Sequence, residues 1–419
     1  MGLKNKFIAV IGENRYEWCL SYLAVANGTG VTVPLDRELP VAEIENLLQR
    51  SEASAIIFSG KLADKIKEIK DNLDFVKYFI NMDLEQDEEG FLSFWSLVEK
   101  GRSLVASGDR SFIDAVINDD VLSVLVFTSG TTDLAKGVML SHRNITSNVC
   151  FVSEAIKMNS NDSILSILPL HHTYECTAGF LTMLYNGCCI SFNEGLKYIA
   201  KNLKEIRPTL MISVPLILEN MYKKIWDQAA KSKITKFKLK FAIILSNILY
   251  TVFKIDIRRI LFKQIHESIG GRLRIVISGA AAIKPEVVKG FNSMGIRVLQ
   301  GYGLTECSPI VTVTRFDKIK YSSIGQPLPG IEVKIDNPNE DGIGELLVKG
   351  DSVMLGYYKD ILATKRVLKY GWLHTGDLGY MDKSGFLYIT GRKKNVIVTK
   401  NGKNIFPEEV EAYLNKSPY

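Results

Sequence analysis

The sequence predicts an α/β protein of two α/β subdomains, about residues 1–110 and 111–320, followed by a small β-rich subdomain over about 321–393. Three observations carry this prediction. Between Lys6 and about Ile80, short apolar runs alternate with helix-period stretches. A second set of the same kind fills the middle of the chain. From about Ser322 the apolar runs become short, closely spaced and separated by glycine turns. At about 150 residues per domain, 419 residues hold two or three such units.

In the first set, the runs FIAVIG, VTVPLD, AIIFS and YFI read as strands, and Tyr16 to Ala26, Ala42 to Gln49 and Leu62 to Ile69 read as the helices between them. After a polar connection around Ser107 to Asp120, the runs VLSVLVF, SILSIL, CCISF, TLMISV, RLRIVIS and IRVLQ read as strands, with a helix over Lys284 to Asn292. The β-rich part is read from IEVKID, GELLVKG, GFLYITG and NVIVTK. A boundary falls near Gly391 to Lys394.

Composition narrows the function. Hydrophobic residues at 46% and charged residues at 23% match globular averages and exclude disorder. The net charge of +6 is too small for a dedicated nucleic-acid binder, and it leaves an anionic small molecule or a membrane surface as partner. Six cysteines without CxxC spacing imply free thiols in a reducing, cytoplasmic setting. The run Phe7 to Ile11 is too short for a signal peptide. The charge-free window Cys176 to Asn193 is broken at Asn186-Gly187, so no membrane span is expected.

Four motifs point to chemistry. VLVFTSGTTDLAKGV places Thr128, Ser129, Gly130, Thr131 and Thr132 after an apolar strand and Lys136 beyond a turn. Glycine lets backbone amides approach an anion, hydroxyls add donors, and one lysine adds charge, so the stretch suits a triphosphate. It fails the Walker A spacing, and alone it also fits an ordinary hydroxyl-rich hairpin. The second motif, Gln300-Gly301-Tyr302-Gly303-Leu304-Thr305-Glu306, lacks the third glycine of a dinucleotide fingerprint. The third is Gly371-Trp372-Leu373-His374-Thr375-Gly376-Asp377-Leu378-Gly379, and the fourth is Tyr388-Ile389-Thr390-Gly391-Arg392-Lys393-Lys394. Each of the last two passes for a β-turn by itself.

In this order the four motifs resemble the signature set of the adenylate-forming superfamily, and FTSGTT, LPLHHTYE, GYGLTE and GRKKNVIV are similar to bacterial long-chain fatty acid CoA ligases. Pro169-Leu170-His171-His172, Ser278-Gly279-Ala280-Ala281, Gly402 and Pro407-Glu408-Glu409-Val410-Glu411 add to the resemblance. Where family loops usually carry Gly and Pro, this chain has Asp133 and Ala135.

The resemblance implies activation of a medium- or long-chain fatty acid by ATP to acyl-AMP, then thioester formation with CoA. It implies a phosphate cradle of Thr128, Ser129, Gly130, Thr131, Thr132 and Lys136, and Mg²⁺ held by Thr128 and Glu306. Asp377 and Arg392 would take the ribose, with a plain ion pair between them as the simpler alternative. Tyr302 would stack on adenine opposite Gly279 and Ala280, within a wall that includes Gln300, Gly301, Gly303 and Thr305. His172 would orient the carboxylate, and Lys394 would be the hinge to residues 394–419, the beginning of a small mobile C-terminal domain. Relatives carry an adenylation lysine beyond Glu411, so the 419-residue chain is expected to adenylate weakly. An acyl-AMP ligase feeding a carrier protein and a non-catalytic nucleotide-binding remnant stay open as alternatives.

The segment Lys231 to Lys263 carries nine Lys/Arg against the single acid Asp256 around the charge-free run FAIILSNILYTVF. It suits peripheral contact with a membrane surface, or equally a buried helix with a solvated basic face.

Overall fold

A computed structural model describes residues 1–88, 90–128, 135–316, 319–395, 397–398, 404–405 and 407. It has the predicted mixed α/β architecture, with sheets of eight, seven and five strands. A two-stranded ladder, Ile397–Val398 with Asn404–Ile405, follows them.

The eight-stranded sheet grows from Lys6–Ile11, which pairs in parallel with Gly30–Leu35 on one side and Ala55–Phe58 on the other. Tyr78–Asn81 and Leu92–Ser93 extend it. The strands read as unbroken apolar runs because helices cover both faces. Ile8 and Val10 pack with Trp18 and Tyr22 of the helix Tyr16–Ala26. Ala9 and Ile11 point the other way, onto Ile44 and Leu48 of Val41–Ser51 and Ile66 of Ala63–Lys70.

This sheet continues past residue 110. The hairpin Leu122–Thr128 and Lys136–Ser141 joins Gly30–Leu35 through the pair Thr32 and Val124, and Gly356–Tyr357 closes the edge against Met139 and Val138. The expected division at 110/111 therefore does not coincide with the division between sheets. The cause is side-chain alternation: Val124 and Val126 complete one core and Leu125 the other.

The seven-stranded sheet takes its parallel part from Cys189–Phe192, Ser163–Ser166, Leu210–Ser213, Ile275–Ser278 and Arg297–Gly303. The last of these runs three residues beyond the expected IRVLQ. Over Arg297 to Gln300 it pairs in parallel with Ile275–Ser278, and over Gly301 to Gly303 it pairs antiparallel with Ile310–Val313. The window Cys176 to Asn193 is divided as its sequence predicts, into helical Tyr174–Leu181 and Thr182–Tyr185, a turn at Gly187, and the strand Cys189–Phe192. Among the described residues, no helix is long and apolar enough to cross a membrane.

The five-stranded sheet consists of Glu332–Asp336, Gly344–Lys349, Trp372–Met381, Leu368–Lys369 and Leu387–Arg392. It adds a strand that the apolar runs did not predict: the motif Gly371 to Gly379, which by itself passes for a β-turn, supplies most of a ten-residue strand, Trp372–Met381. Gly371 does turn the chain, at a φ of 78°, whereas Gly379 only imitates a turn signal. A Cβ on Gly379 would lie 2.1 Å from the Tyr388 carbonyl oxygen, so the residue is small because two backbones meet there.

Candidate active site

Thr128 ends one strand of the hairpin and Lys136 begins the other; they are cross-strand partners, and the Thr128 hydroxyl donates to the Lys136 carbonyl at 3.4 Å. The expected cradle residues Ser129, Gly130, Thr131 and Thr132 lie outside the described residues, as do Asp133, Gly402 and 408–411. Both stems of the hairpin are held by Arg50, which the sequence did not single out. Its guanidinium donates to the Ala135 carbonyl and lies 5.3 Å from the centroid of the Phe127 ring.

Glu306 sits in the tight turn Thr305–Cys307, directly after the strand that carries Tyr302. That turn needs Gly303, because a Cβ there would lie 2.0 Å from the Pro309 carbonyl oxygen. Gln300 is fixed by Thr314, whose hydroxyl accepts from its amide at 2.7 Å, and its side chain donates to Tyr321 O at 2.8 Å. Gly301 lies opposite Val313 in the same ladder.

Tyr357 links this turn to the hairpin. Its hydroxyl donates to Glu306 Oε1 at 2.8 Å, and the Lys136 ammonium lies 5.1 Å from its ring centroid. Burial, followed by the Glu306 charge, pushes its phenol above the ordinary range. Nothing in the periodicity around GYYK marks this residue, because it belongs to a two-residue edge strand.

On the five-stranded sheet, Asp377 and Arg392 are cross-strand partners and form an ion pair at 2.9 Å. The other Asp377 oxygen accepts from the Tyr302 hydroxyl at 2.6 Å. Burial first and the Asp377 charge second raise the Tyr302 pKa. Lys394 is exposed. Its neighbour Lys393 is anchored, with its amide donating to Gly376 O at 2.8 Å and its ammonium to Glu345 Oε2 at 2.9 Å.

The histidine loop forms another wall. His171 is the buried ring, with Nε2 3.6 Å from Asp36 Oδ2 and without a hydrogen-bond partner. His172 packs on it with centroids 4.1 Å apart and keeps its outer edge exposed. Burial lowers both imidazole pKa values, and for His171 the neighbouring His172 lowers it further, to about 4. Both rings are therefore neutral at neutral pH.

Two residues outside the motifs, Asn14 and Ser166, hold this loop. Asn14 donates to Leu168 O at 2.6 Å and to Ser166 Oγ at 2.9 Å, and accepts from the Leu170 amide at 3.0 Å. Ser166 in turn donates to fully buried Glu175 at 2.6 Å, and burial pushes the Glu175 carboxyl up to about 8. Gly279 and Ala280 lie beyond the strand Ile275–Ser278. A Cβ on Gly279 would come within 2.9 Å of the Tyr174 ring, and Ala280 holds a left-handed φ of 69°.

The contacts thus run unbroken from Thr128 and Lys136 through Tyr357 to Glu306, and from the adjoining Tyr302 to Asp377 and Arg392. The Glu306 carboxylate and Thr128 hydroxyl are hard oxygen donors of the kind Mg²⁺ takes, and Lys136, the cross-strand partner of Thr128, complements phosphate, so the residue types present fit a magnesium triphosphate.

The sequence matches a family described as AMP-binding enzyme over residues 2–358. Long-chain fatty acid CoA ligase 5 of Rattus norvegicus is 32% identical over 442 residues, covering 99% of this chain and 64% of that protein. Fatty acyl-CoA synthetase B of Dictyostelium discoideum is 29% identical over 447 residues, covering 100% and 66%. This chain therefore spans about two thirds of the length of these curated relatives. Among solved structures, the anthranilate CoA ligase AuaEII bound to anthranoyl-AMP superposes with a TM-score of 0.79 at 19% identity, over 99% of this chain and 73% of that one. ATP-bound MatB of Rhodopseudomonas palustris gives 0.75 at 24%, over 99% and 74%. These two likenesses concern the fold. With the matched region covering most of its length, the chain belongs to the AMP-binding enzyme family, the adenylate-forming superfamily.

Proposed function

We propose that this chain takes part in activating a medium- or long-chain fatty acid with ATP, giving acyl-AMP and pyrophosphate, and in passing the acyl group to the thiol of CoA. The reaction class rests on one observation above the rest: two contact paths, Lys136 to Tyr357 to Glu306 and Tyr302 to Asp377 to Arg392, which the strand Arg297–Gly303 and the turn after it bring together from segments distant in sequence. The acyl class rests on the relatives, which are named for fatty acids.

Such chemistry needs positioning and charge neutralisation more than a protein nucleophile. Lys136 directs its ammonium at the phosphates, with Ser129, Gly130, Thr131 and Thr132 as the cradle around them. Thr128 and Glu306 hold Mg²⁺, which when bound neutralises phosphate charge. Asp377 accepts from the ribose hydroxyls and Arg392 donates to the same sugar. Tyr302 packs on adenine across from Gly279 and Ala280, and Gln300, Gly301, Gly303 and Thr305 shape that wall. His172, neutral and packed on His171, orients the fatty carboxylate. Lys394 serves as the hinge for the residues beyond it, where domain rotation between half-reactions brings CoA to the acyl group.

The test is calorimetric binding of a fatty acyl sulfamoyl-adenosine, an unreactive mimic of acyl-AMP. Saturable binding by the 419-residue chain, weakened about tenfold or more in D377A, is the expected result. No binding of the mimic overturns the reading. Mimics of increasing acyl length then read out the chain-length preference.

A further inference from the structure

The helix Lys233–Val252 presents an apolar ridge that nothing in the described chain covers. Ile234, Phe237, Phe241, Ile244, Ile248 and Val252 recur at spacings of three and four and fall on about a quarter of the helix circumference. All six are exposed, Phe237 by 71% and Ile234 by 67%. The opposite face is already spent on the body of the protein: Leu239, Ala242 and Ile243 pack on the core behind the seven-stranded sheet. Fully buried Ser246 donates to Ser293 O at 3.3 Å, and Asn247 donates to Ser293 Oγ at 3.1 Å. The helix is thus fixed in place with its second apolar face outward.

Charge selects the occupant. Lys233 and Lys240 border the ridge on one side and Lys238 on the other, with exposed Lys231 and Lys236 nearby. No acid occurs between Asp227 and Asp256. Pairing the ridge with itself in a second copy would set lysine against lysine. A bilayer bearing anionic headgroups meets both halves of the pattern, acyl chains for the ridge and phosphates for its borders.

We propose that the outer face of Lys233–Val252 is a docking surface for an anionic lipid bilayer, lying in its interface without crossing it. The surface deepens the fatty-acid reading by placing a lipid source beside the enzyme, and its test needs no turnover, so an inactive ligase would leave it standing. The 419-residue chain is floated with phosphatidylglycerol–phosphatidylcholine vesicles and with phosphatidylcholine vesicles. Binding to the mixed vesicles, weakened about tenfold or more by F237E/F241E and by added salt, is the expected result, with the thermal midpoint of the variant kept at the wild-type value. Replacing Lys233, Lys238 and Lys240 by Ala is expected to remove the preference for the anionic vesicles. Absent binding, binding indifferent to both variants, or a dimer in solution that F237E/F241E dissolves would overturn the proposal, the last by assigning the ridge to a second copy.

Discussion

Tyr357 holds Glu306 by a 2.8 Å hydrogen bond across 51 residues of sequence, and by doing so ties the closing edge of one sheet to the turn that ends a strand of another. The phenol is the donor and the carboxylate the acceptor, so the bond leaves one Glu306 oxygen for a cation. Y357F keeps the ring beneath Lys136 and removes only the bond. The expected result is about tenfold weaker binding of magnesium ATP, by calorimetry, with the thermal midpoint nearly unchanged. A variant that binds as wild type would remove Tyr357 from the site.

Asp377 is 4% exposed and accepts from Tyr302 and Arg392 at once. D377A leaves the buried Tyr302 hydroxyl without its acceptor and the guanidinium without its counter-charge. Nucleotide affinity is expected to fall by about 10- to 100-fold. Y302F, which keeps the ion pair, is expected to lose less, and equal losses would contradict this ordering.

Gly303 faces the Pro309 carbonyl at a distance no Cβ tolerates. G303A is expected to destabilise the chain by about 2 kcal/mol or more, read by urea denaturation. G101A serves as control, since a Cβ there meets nothing within 4 Å.

The histidine loop carries two pH dependences of opposite sign. Glu175 stays protonated in the fold up to about 8, whereas the unfolded carboxyl ionises near 4.5. Its contribution is complete below 4.5 and is lost as pH rises from there to about 8. His171 is depressed to about 4 from 6.5, so its contribution is present above 6.5 and is lost as pH falls towards 4. Thermal midpoints of E175Q measured against wild type are expected to lack the loss on the alkaline side, and parallel curves would refute the assignment.

Period and punctuation made much of the fold legible. The helix Tyr16–Ala26 and the strand near Lys6 follow from apolar spacing because each buries a continuous face. The strand Trp372–Met381 did not, since Gly379, the glycine that lets two backbones approach, is of the residue type that marks turns. Of the site, the motif residues were visible because their chemistry is local. Tyr357, Arg50 and Asn14 were not, because each acts on a segment that is brought to it only by the tertiary fold.

The placement of Gly356–Tyr357 against Lys136–Ser141 has a consequence for synthesis. On the ribosome, the hairpin emerges more than 200 residues before the segment that caps it. Until then the nascent chain presents an unpaired β edge, a template for wrong partners. Any stall upstream of Tyr357 leaves a polypeptide with that border open.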